Sequence, residues 1–174
     1  MRDVSRIKAA VRDVPDFPKP GIVFKDITPV LGDGALFREV IEIFADSLAG
    51  SGVTKIVGID ARGFIFASAV AFKLGVGFIP VRKKGKLPWT TRAEEYELEY
   101  GSAIVEIHTD AVAPGEKVAL IDDVLATGGT AAAALRLLQC CGAEVVKAQF
   151  LMELGFLDGR KNLGAVAVDS ILIY

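Results

Sequence analysis

The sequence predicts an α/β fold in which a mostly parallel, twisted sheet is flanked by helices. Short apolar runs of strand length alternate with longer segments that carry apolar residues at helical spacing. Several of the strand segments, such as Val118–Ile121, are wholly apolar, as expected for parallel strands that helices cover on both faces. With 174 residues, 52% of them hydrophobic and 24% charged, the chain is expected to form one soluble domain, residues 1–174.

The N-terminal part is predicted to contain two helices joined by an extended segment. Apolar residues in Val4–Val11 lie at helical spacing, and Pro15 is expected to end that helix. Three prolines in residues 17–29 exclude a helix there and favour an extended loop. Asp33 can then cap a helix that continues to Leu48.

The rest of the chain alternates between strands and helices. The predicted strands are Lys55–Ile59, Gly77–Val81, Tyr96–Tyr100, Ala103–His108, Val118–Ile121, Glu144–Leu151 and Ser170–Tyr174. The predicted helices are Gly63–Leu74 and Thr130–Cys141. A basic, irregular segment, Arg82–Glu95, interrupts this alternation, and the two strands after it are expected to form a hairpin.

Charge and cysteine usage exclude several classes of partner. The formal net charge of −2 provides no basic field for nucleic acid or an anionic membrane, and no apolar run approaches the ~20 residues of a membrane span. The neighbouring Cys140 and Cys141 suit neither a disulfide nor a zinc site and are predicted to be buried helix residues. Reduced thiols and the lack of a signal segment favour the cytoplasm.

The most informative segment is residues 118–130, where an apolar strand ends in Asp122 and Asp123 and a loop of small residues leads into a helix. Open α/β sheets bind ligands at the carboxyl ends of their strands. The carboxylates can accept hydrogen bonds from sugar hydroxyls or hold Mg²⁺, and a glycine-rich loop at a helix start suits a phosphate. The pattern therefore predicts a sugar-phosphate site. The alternative is a buried strand followed by a solvated turn.

Two further segments carry cations that suit an anionic ligand. Asp60-Ala61-Arg62-Gly63 is a second strand-to-helix junction, where Arg62 can bind phosphate or be an ordinary surface residue. The run Arg82-Lys83-Lys84-Gly85-Lys86 follows an apolar strand and precedes acidic residues. Such a run is either solvated surface or a mobile lid over a very anionic substrate.

Residues 118–130 resemble the signature of the type I phosphoribosyltransferases, which have a Rossmann-like fold and bind phosphoribosyl pyrophosphate (PRPP). The resemblance implies that Asp122 and Asp123 hold the ribose hydroxyls. The 5′-phosphate would be bound by Ala126, Thr127, Gly128, Gly129 and Thr130. It also implies that the loop at Arg62 binds pyrophosphate, sometimes through a non-proline cis peptide.

The segment Phe-Pro-x-Pro-Gly-Ile-x-Phe-Lys-Asp-Ile-Thr-Pro, residues 17–29, resembles the N-terminal hood of the adenine-specific members of this family. The resemblance implies a small base-recognition hood over residues 1–34. The adenine-binding residues would be Val23 through its main chain, Phe24 and Leu154 on the two ring faces, and Lys25. Some relatives carry Arg at the position of Lys25, so the bidentate option is lost here.

The motif Arg-Lys-x-Gly-Lys-Leu-Pro, followed by Tyr-x-Leu-Glu-Tyr-Gly, resembles the flexible hairpin lid of the same enzymes and places a lid at residues 82–101. The pyrophosphate-binding cations would be Arg82, Lys83 and Lys86. Of these, Arg82 and Lys86 are expected to reach the neighbouring subunit of a homodimer. Glu99 would handle a purine ring proton, and Tyr100 would pack against the closed site.

Together the resemblances imply formation of AMP and pyrophosphate from adenine and PRPP in purine salvage, with Mg²⁺ carried mainly by PRPP. The catalytic residues would be Glu99, Asp122 and Asp123, the two aspartates acting as holders of the ribose. Two alternatives stay open: an enzyme of the same fold that uses xanthine or hypoxanthine, and a non-catalytic regulator that senses PRPP. The first is disfavoured by the hood, because a 6-oxopurine presents the inverse hydrogen-bond pattern.

Overall fold

The computed structural model describes residues 3–97 and 101–174 of the chain. Its α-helices are α1 Ser5–Ala10, α2 Thr28–Gly32, α3 Gly34–Ser47, α4 Arg62–Leu74 and α5 Gly129–Cys140. Its strands are β1 Arg12–Pro15, β2 Val23–Asp26, β3 Lys55–Ile59, β4 Gly77–Lys83, β5 Thr91–Glu97, β6 Ser102–His108, β7 Lys117–Leu125, β8 Glu144–Glu153 and β9 Val168–Ile173. Two short 3₁₀ helices, Gly155–Leu157 and Gly159–Leu163, connect β8 to β9.

A seven-stranded sheet in the order β5-β6-β4-β3-β7-β8-β9 forms the centre of the described chain. The run from β4 to β9 is parallel, while β6 pairs antiparallel with both β4 and β5. The predicted α/β class and mostly parallel sheet are therefore confirmed. Because β4 lies on one side of β3 and β7 on the other, the chain changes direction between β3 and β7. A crevice opens at the carboxyl ends of strands at such a switch point.

Helices cover the sheet on both faces and create two apolar cores. One core contains α5 together with β7 and β8, and the other packs α3 and α4 against the opposite face. Residues Ala131–Ala134 of α5 are all buried, and their small side chains let the helix approach the sheet closely. Asp33 caps α3 as predicted, because its carboxylate accepts hydrogen bonds from the N–H groups of Ala35 and Leu36.

The hood is more ordered than the predicted extended loop. Strand β1 pairs antiparallel with β2, with Asp13 opposite Lys25, so α1 ends at Ala10 and not at Pro15. The exclusion of a helix from residues 17–29 is wrong at its end, because α2 begins at Thr28. A proline in the first turn of a helix removes no intrahelical hydrogen bond, which is why Pro29 is tolerated there.

The irregular lid segment is shorter than Arg82–Glu95. Strand β4 continues to Lys83 and β5 begins at Thr91, which leaves only residues 84–90 without strand structure. Pairing with β6 accounts for the extra strand length, since Thr91 lies opposite His108 and Glu97 opposite Ser102. The predicted hairpin is confirmed over the described residues.

Two expectations about the surface can also be compared with the structure. Cys140 is exposed and Cys141 half-buried, so the predicted burial of Cys140 is wrong. Cys140 is the last residue of α5, where the apolar face of that helix ends. None of the helices in residues 3–97 and 101–174 is long and apolar enough to span a membrane.

Candidate functional site

The two predicted acids lie side by side at the carboxyl end of β7. Asp123 is only 4% exposed, and Asp122 Oδ1 accepts a hydrogen bond of 2.9 Å from the Asp123 N–H group. Burial raises the pKa of Asp122 well above its ordinary value, and the charge of Asp123 raises it further. Burial also raises the pKa of Asp123, but Arg62 opposes that rise. Two carboxylates are thus held in a costly environment, as is typical of a functional site.

Arg62 comes from the second strand-to-helix junction and meets these acids across the sheet edge. Its Nε lies 2.8 Å from Asp123 Oδ2, and its guanidinium lies 5.2 Å from the centre of the Phe24 ring. The peptide bond between Asp60 and Ala61 is cis, as the family resemblance implies for this loop. Arg62 is about 40% exposed at its side chain, so it can also contact a ligand in the cleft.

Gly63 allows the two junctions to approach each other. A Cβ atom on this residue would lie 2.5 Å from Asp122 Oδ1 and 3.1 Å from the Ile121 carbonyl oxygen. No real side chain fits such a space, because both distances are below van der Waals contact. Glycine is therefore required where α4 begins beside the end of β7.

A polar cleft of about 410 Å³ lies between the two junctions. The predicted ribose, phosphate and pyrophosphate residues that line it are Arg62, Lys83, Asp122, Asp123, Ala126, Thr127, Gly128, Gly129 and Thr130. Helix α5 begins at Gly129 with no side-chain cap, so the first N–H groups of this helix are available to an anion. Tyr96, the first residue of the Tyr-x-Leu-Glu-Tyr-Gly motif but not among the predicted site residues, also lines the cleft from the lid hairpin.

The phosphate-loop candidate, residues 126–130, packs closely against the second 3₁₀ helix. A Cβ on Gly128 would lie 2.4 Å from the Gly159 carbonyl oxygen, and one on Gly159 would lie 2.1 Å from the Ala126 carbonyl oxygen. The Asn162 side-chain amide donates a 2.7 Å hydrogen bond to the Thr127 carbonyl oxygen. Sequence reasoning missed Gly159 and Asn162, since a Gly in a loop carries no local signal of what it touches.

An apolar pocket of about 220 Å³ adjoins the polar cleft. The four predicted adenine-binding residues, Val23, Phe24, Lys25 and Leu154, all line it. It is completed by Ile22, Arg62, Val124, Ala126 and Met152. Three residues line both the polar cleft and the apolar pocket: Arg62, Val124 and Ala126. Ligands bound in the cleft and in the pocket would therefore meet beside these residues.

Lys25 contributes to this pocket differently from the expectation. Its ammonium lies 2.6 Å from Asp13 Oδ1 and 4.4 Å from the centre of the Tyr174 ring. The charge of Lys25 is therefore satisfied within the hood and at the end of β9, and its aliphatic stem is left to the pocket wall.

The lid cations separate into two groups. Lys83 lines the polar cleft, whereas Arg82 and Lys86 do not. Arg82 Nε lies 3.2 Å from Asp60 Oδ2, and its Nη1 donates a 3.0 Å hydrogen bond to the Lys86 carbonyl oxygen. Arg82 therefore connects the base of the lid to the Arg62 junction.

The start of the lid is also held from β6. The buried Glu106 accepts a 2.9 Å hydrogen bond from the Gly85 N–H group, a contact without a sequence signal. The predicted proton acceptor Glu99 and the packing residue Tyr100 lie outside the described residues.

The donor set of the cleft fits a metal that arrives with a ligand. In residues 3–97 and 101–174, no group of three or more His, Cys, Asp or Glu side chains is arranged to hold an ion. Asp122 and Asp123 provide carboxylate oxygens, and Mg²⁺ is commonly bound through one or two carboxylates together with substrate phosphates.

Comparisons with known proteins place the chain among phosphoribosyl-transferring enzymes. Residues 31–171 match the family model described as the phosphoribosyl transferase domain. A curated adenine phosphoribosyltransferase of Anaeromyxobacter dehalogenans is 56% identical over 168 residues, which cover 97% of this chain and 98% of the relative.

Solved structures agree with the sequence comparison. The crystal structure of adenine phosphoribosyltransferase from Thermoanaerobacter pseudethanolicus matches with a TM-score of 0.95 and 50% identity, covering 98% of this chain and 99% of that one. The Saccharomyces cerevisiae enzyme, solved with an imino-altritol bisphosphate and adenine, matches with a TM-score of 0.93 and 40% identity, covering 97% of this chain and 98% of that one.

Proposed function

This chain belongs to the phosphoribosyl transferase family, and we propose that it transfers the phosphoribosyl group of PRPP to adenine, forming AMP and pyrophosphate in purine salvage. The observation that carries the proposal is the pair of adjoining spaces at the carboxyl edge of the sheet. A polar cleft with acids and a phosphate loop suits ribose 5-phosphate and pyrophosphate, and the apolar pocket suits a purine ring. Reaction at C1′ requires these two ligands to meet at the shared boundary.

Asp122 and Asp123 accept hydrogen bonds from the ribose hydroxyls, and N–H groups of residues 126–130 bind the 5′-phosphate. Arg62 leaves or shares its contact with Asp123 to meet the pyrophosphate, and Lys83 adds a second cation on that side. Two observations support these roles. The residues line a common cleft, and the 2.8 Å contact between Arg62 Nε and Asp123 Oδ2 positions Arg62 beside that cleft. Such preorganised charges act where negative charge develops on the leaving group.

The base is held between Phe24 and Leu154, with its edge recognised by main-chain groups at Val23. Strand β2 belongs to a two-stranded sheet in the described chain, so its side away from β1 has backbone N–H and C=O groups without a strand partner. A C=O and N–H pair matches the N6 amine and N1 acceptor of adenine. A 6-oxopurine would leave both groups unpaired, a mismatch that discriminates by roughly 10⁴-fold or more.

In the reaction, the bond from C1′ to the pyrophosphate oxygen breaks, a bond from C1′ to adenine N9 forms, and the N9 proton is lost. Glu99 is the proposed proton acceptor. Mg²⁺, bound through PRPP, would supply positive charge to the departing pyrophosphate. Positioning of both substrates and exclusion of water by the lid, residues 82–101, account for most of the acceleration.

We further propose that the enzyme is a cytoplasmic homodimer in which Arg82 and Lys86 serve the partner's site. Helix α4 exposes Ile65 at 39% and Phe72 at 90%, and Phe78 on the neighbouring β4 is 37% exposed. Apolar side chains at this density on one side of the sheet are typical of a protein interface. Arg82 and Lys86 lie outside the lining of their own cleft, which is compatible with a role in a neighbouring one.

The decisive experiment incubates adenine, hypoxanthine, guanine and xanthine separately with PRPP and Mg²⁺ and measures nucleotide formation. Adenine is expected to be converted to AMP with a kcat/KM at least about 10⁴-fold above the 6-oxopurines. Preferential use of hypoxanthine or xanthine would reverse the assignment of the base. Binding of PRPP without turnover of any purine would instead favour a PRPP-sensing regulator.

A further inference from the structure

Tyr174 contacts two opposite sides of the apolar pocket, although it does not line the pocket itself. We call these sides the Leu154 wall and the β2 wall, the latter formed by Phe24 and Lys25. Its N–H group donates a 2.9 Å hydrogen bond to the Glu153 carbonyl oxygen, and its carbonyl oxygen accepts a 2.9 Å bond from the Gly155 N–H group. These two bonds enclose Leu154, the residue between the two partners. The backbone of Tyr174 therefore holds the Leu154 wall in place.

The ring of Tyr174 holds the opposite wall. The ammonium groups of Lys25 and Lys8 lie 4.4 Å and 5.4 Å from the ring centre. The Lys25 side chain is only 18% exposed, and its ammonium also forms an ion pair with Asp13, 2.6 Å from Asp13 Oδ1. Cation–π contacts are stronger when the cation is removed from water, so the Lys25 contact is the more important of the two.

The hydroxyl group of Tyr174 does not explain why this residue is present. Its oxygen is buried and has no hydrogen-bond partner in the described part of the chain. A buried hydroxyl without a partner is a cost and not a gain. The ring face, which carries the two cations, is therefore the functional part of the side chain.

We propose that Tyr174 is a positioning residue for the purine, setting the separation between Leu154 and the β2 wall. The proposal rests on the proposed function, because it assigns adenine to the pocket of Phe24 and Leu154. A planar base gains dispersion energy only in close contact with both faces, and a gap of about 0.5–1 Å already forfeits a quarter to a half of it. A residue that connects the two walls thus controls base affinity without touching the base.

The test compares Tyr174→Leu with Tyr174→Phe in steady-state kinetics and in direct binding. Tyr174→Leu removes the ring and is expected to raise the KM for adenine about five-fold, while the Kd for PRPP measured without adenine changes less than about two-fold. Tyr174→Phe keeps the ring and is expected to restore the adenine KM. An unchanged adenine KM in Tyr174→Leu, or a Tyr174→Phe variant as impaired as Tyr174→Leu, overturns the proposal.

Ile173→Ala is the matched control, because Ile173 is the neighbouring residue and its side chain is 59% exposed. Ile173→Ala is expected to leave the KM for adenine and the Kd for PRPP unchanged. A rise in the adenine KM of this control would show that general disturbance of β9, and not loss of the Tyr174 ring, causes the defect. If Tyr174→Leu does not fold, Tyr174→Met replaces it, since it also removes the ring face that Lys25 contacts but keeps more of the side-chain volume, and it must raise the adenine KM for the proposal to stand. Failure of the wild type to use adenine would refute the proposed function, whereas wild-type turnover with normal variants refutes only the role of Tyr174.

Discussion

At the scale of single residues, the site is built from groups that are unfavourable for the fold. Asp122 and Asp123 are adjacent carboxylates in a poorly hydrated position, and within the described chain Arg62 provides a compensating charge 2.8 Å from Asp123. In the proposed function, ribose hydroxyl groups would donate hydrogen bonds to these acids and complete the compensation. Stability and function are therefore expected to oppose each other here.

Asp122→Asn is expected to stabilise the folded protein near neutral pH while reducing turnover. The folded-state pKa of Asp122 is raised above the unfolded value, so the stability linked to this group is present below the ordinary carboxyl pKa of ~3.9 and is lost as the pH rises through the folded pKa. Removing the charge is therefore expected to raise the free energy of unfolding at pH 7. Thermal unfolding of the wild type and of Asp122→Asn between pH 4 and pH 8 measures the difference in stability. A difference that does not grow with pH would show that the raised pKa of Asp122 is not its cause.

Gly63→Ala is expected to damage the ribose side of the site. The new Cβ would lie 2.5 Å from Asp122 Oδ1, so either that carboxylate or the start of α4 must move, at a cost of about 1–3 kcal/mol. The KM for PRPP should rise at least several-fold. Gly34→Ala is the matched control, because a Cβ on Gly34, at the start of α3, would meet no atom within 4 Å. Equal effects of the two substitutions would show that the close contact with Asp122 is unimportant.

At the scale of elements, the proposed phosphate loop and the hood each depend on a segment distant in sequence. The loop at residues 126–130 rests on the 3₁₀ helix Gly159–Leu163 through backbone contacts too close for any side chain. The hood hairpin is held at Lys25 by Tyr174 of the segment after β9. Both supports come from the last quarter of the chain, so the C-terminal region shapes two separate ligand spaces.

Asn162→Ala is expected to weaken PRPP binding selectively. It removes the 2.7 Å hydrogen bond to the Thr127 carbonyl oxygen, worth about 1 kcal/mol, and the loop loses part of its fixed conformation. The Kd for PRPP should rise about five-fold with little change in the unfolding temperature. Lys161→Ala on the same turn, whose ion pair with Asp158 is exposed, is the control and should behave like the wild type. A shared defect in both variants would argue against a specific role for the Thr127 contact.

At the scale of the whole molecule, the proposed homodimer makes each site depend on two subunits. Lys86→Ala removes a cation proposed to serve the partner, and the double variant Asp122→Asn/Asp123→Asn removes the acids of its own site. Each homodimer should lose most turnover of PRPP. In a mixed dimer, however, one site would have both its own acids and an intact partner lid.

Co-expression of these two variants with different tags is expected to restore activity to about a quarter of the wild-type level, because random pairing makes half of the dimers mixed and one site in each is complete. Activity is measured on the sample before and after isolation of the doubly tagged dimer. No gain over the separate variants, in a sample purified through both tags and shown by light scattering to be dimeric, would mean that the lid acts on its own subunit.

Local chemistry explains which features could be predicted from the sequence. Alternating strand and helix periods indicate the parallel sheet, and Asp122, Asp123 and the small loop after them indicate the ligand edge, because these signals are contiguous in the chain. The four adenine-binding candidates also meet in one pocket. Errors arose where pairing partners override local preference, as in the hood strands and in the extension of β5 along β6.

The sequence by itself determined the fold class, the acidic strand end and the loop that suits a phosphate, since each depends on residues that are neighbours in the chain. Only the tertiary structure decided that Arg62 pairs with Asp123, that Gly159 supports Gly128, and that Lys25 turns its charge to Asp13 and Tyr174. The physical reason is that these contacts join segments far apart in sequence. Their energies depend on burial and distance, and neither exists until the chain has folded.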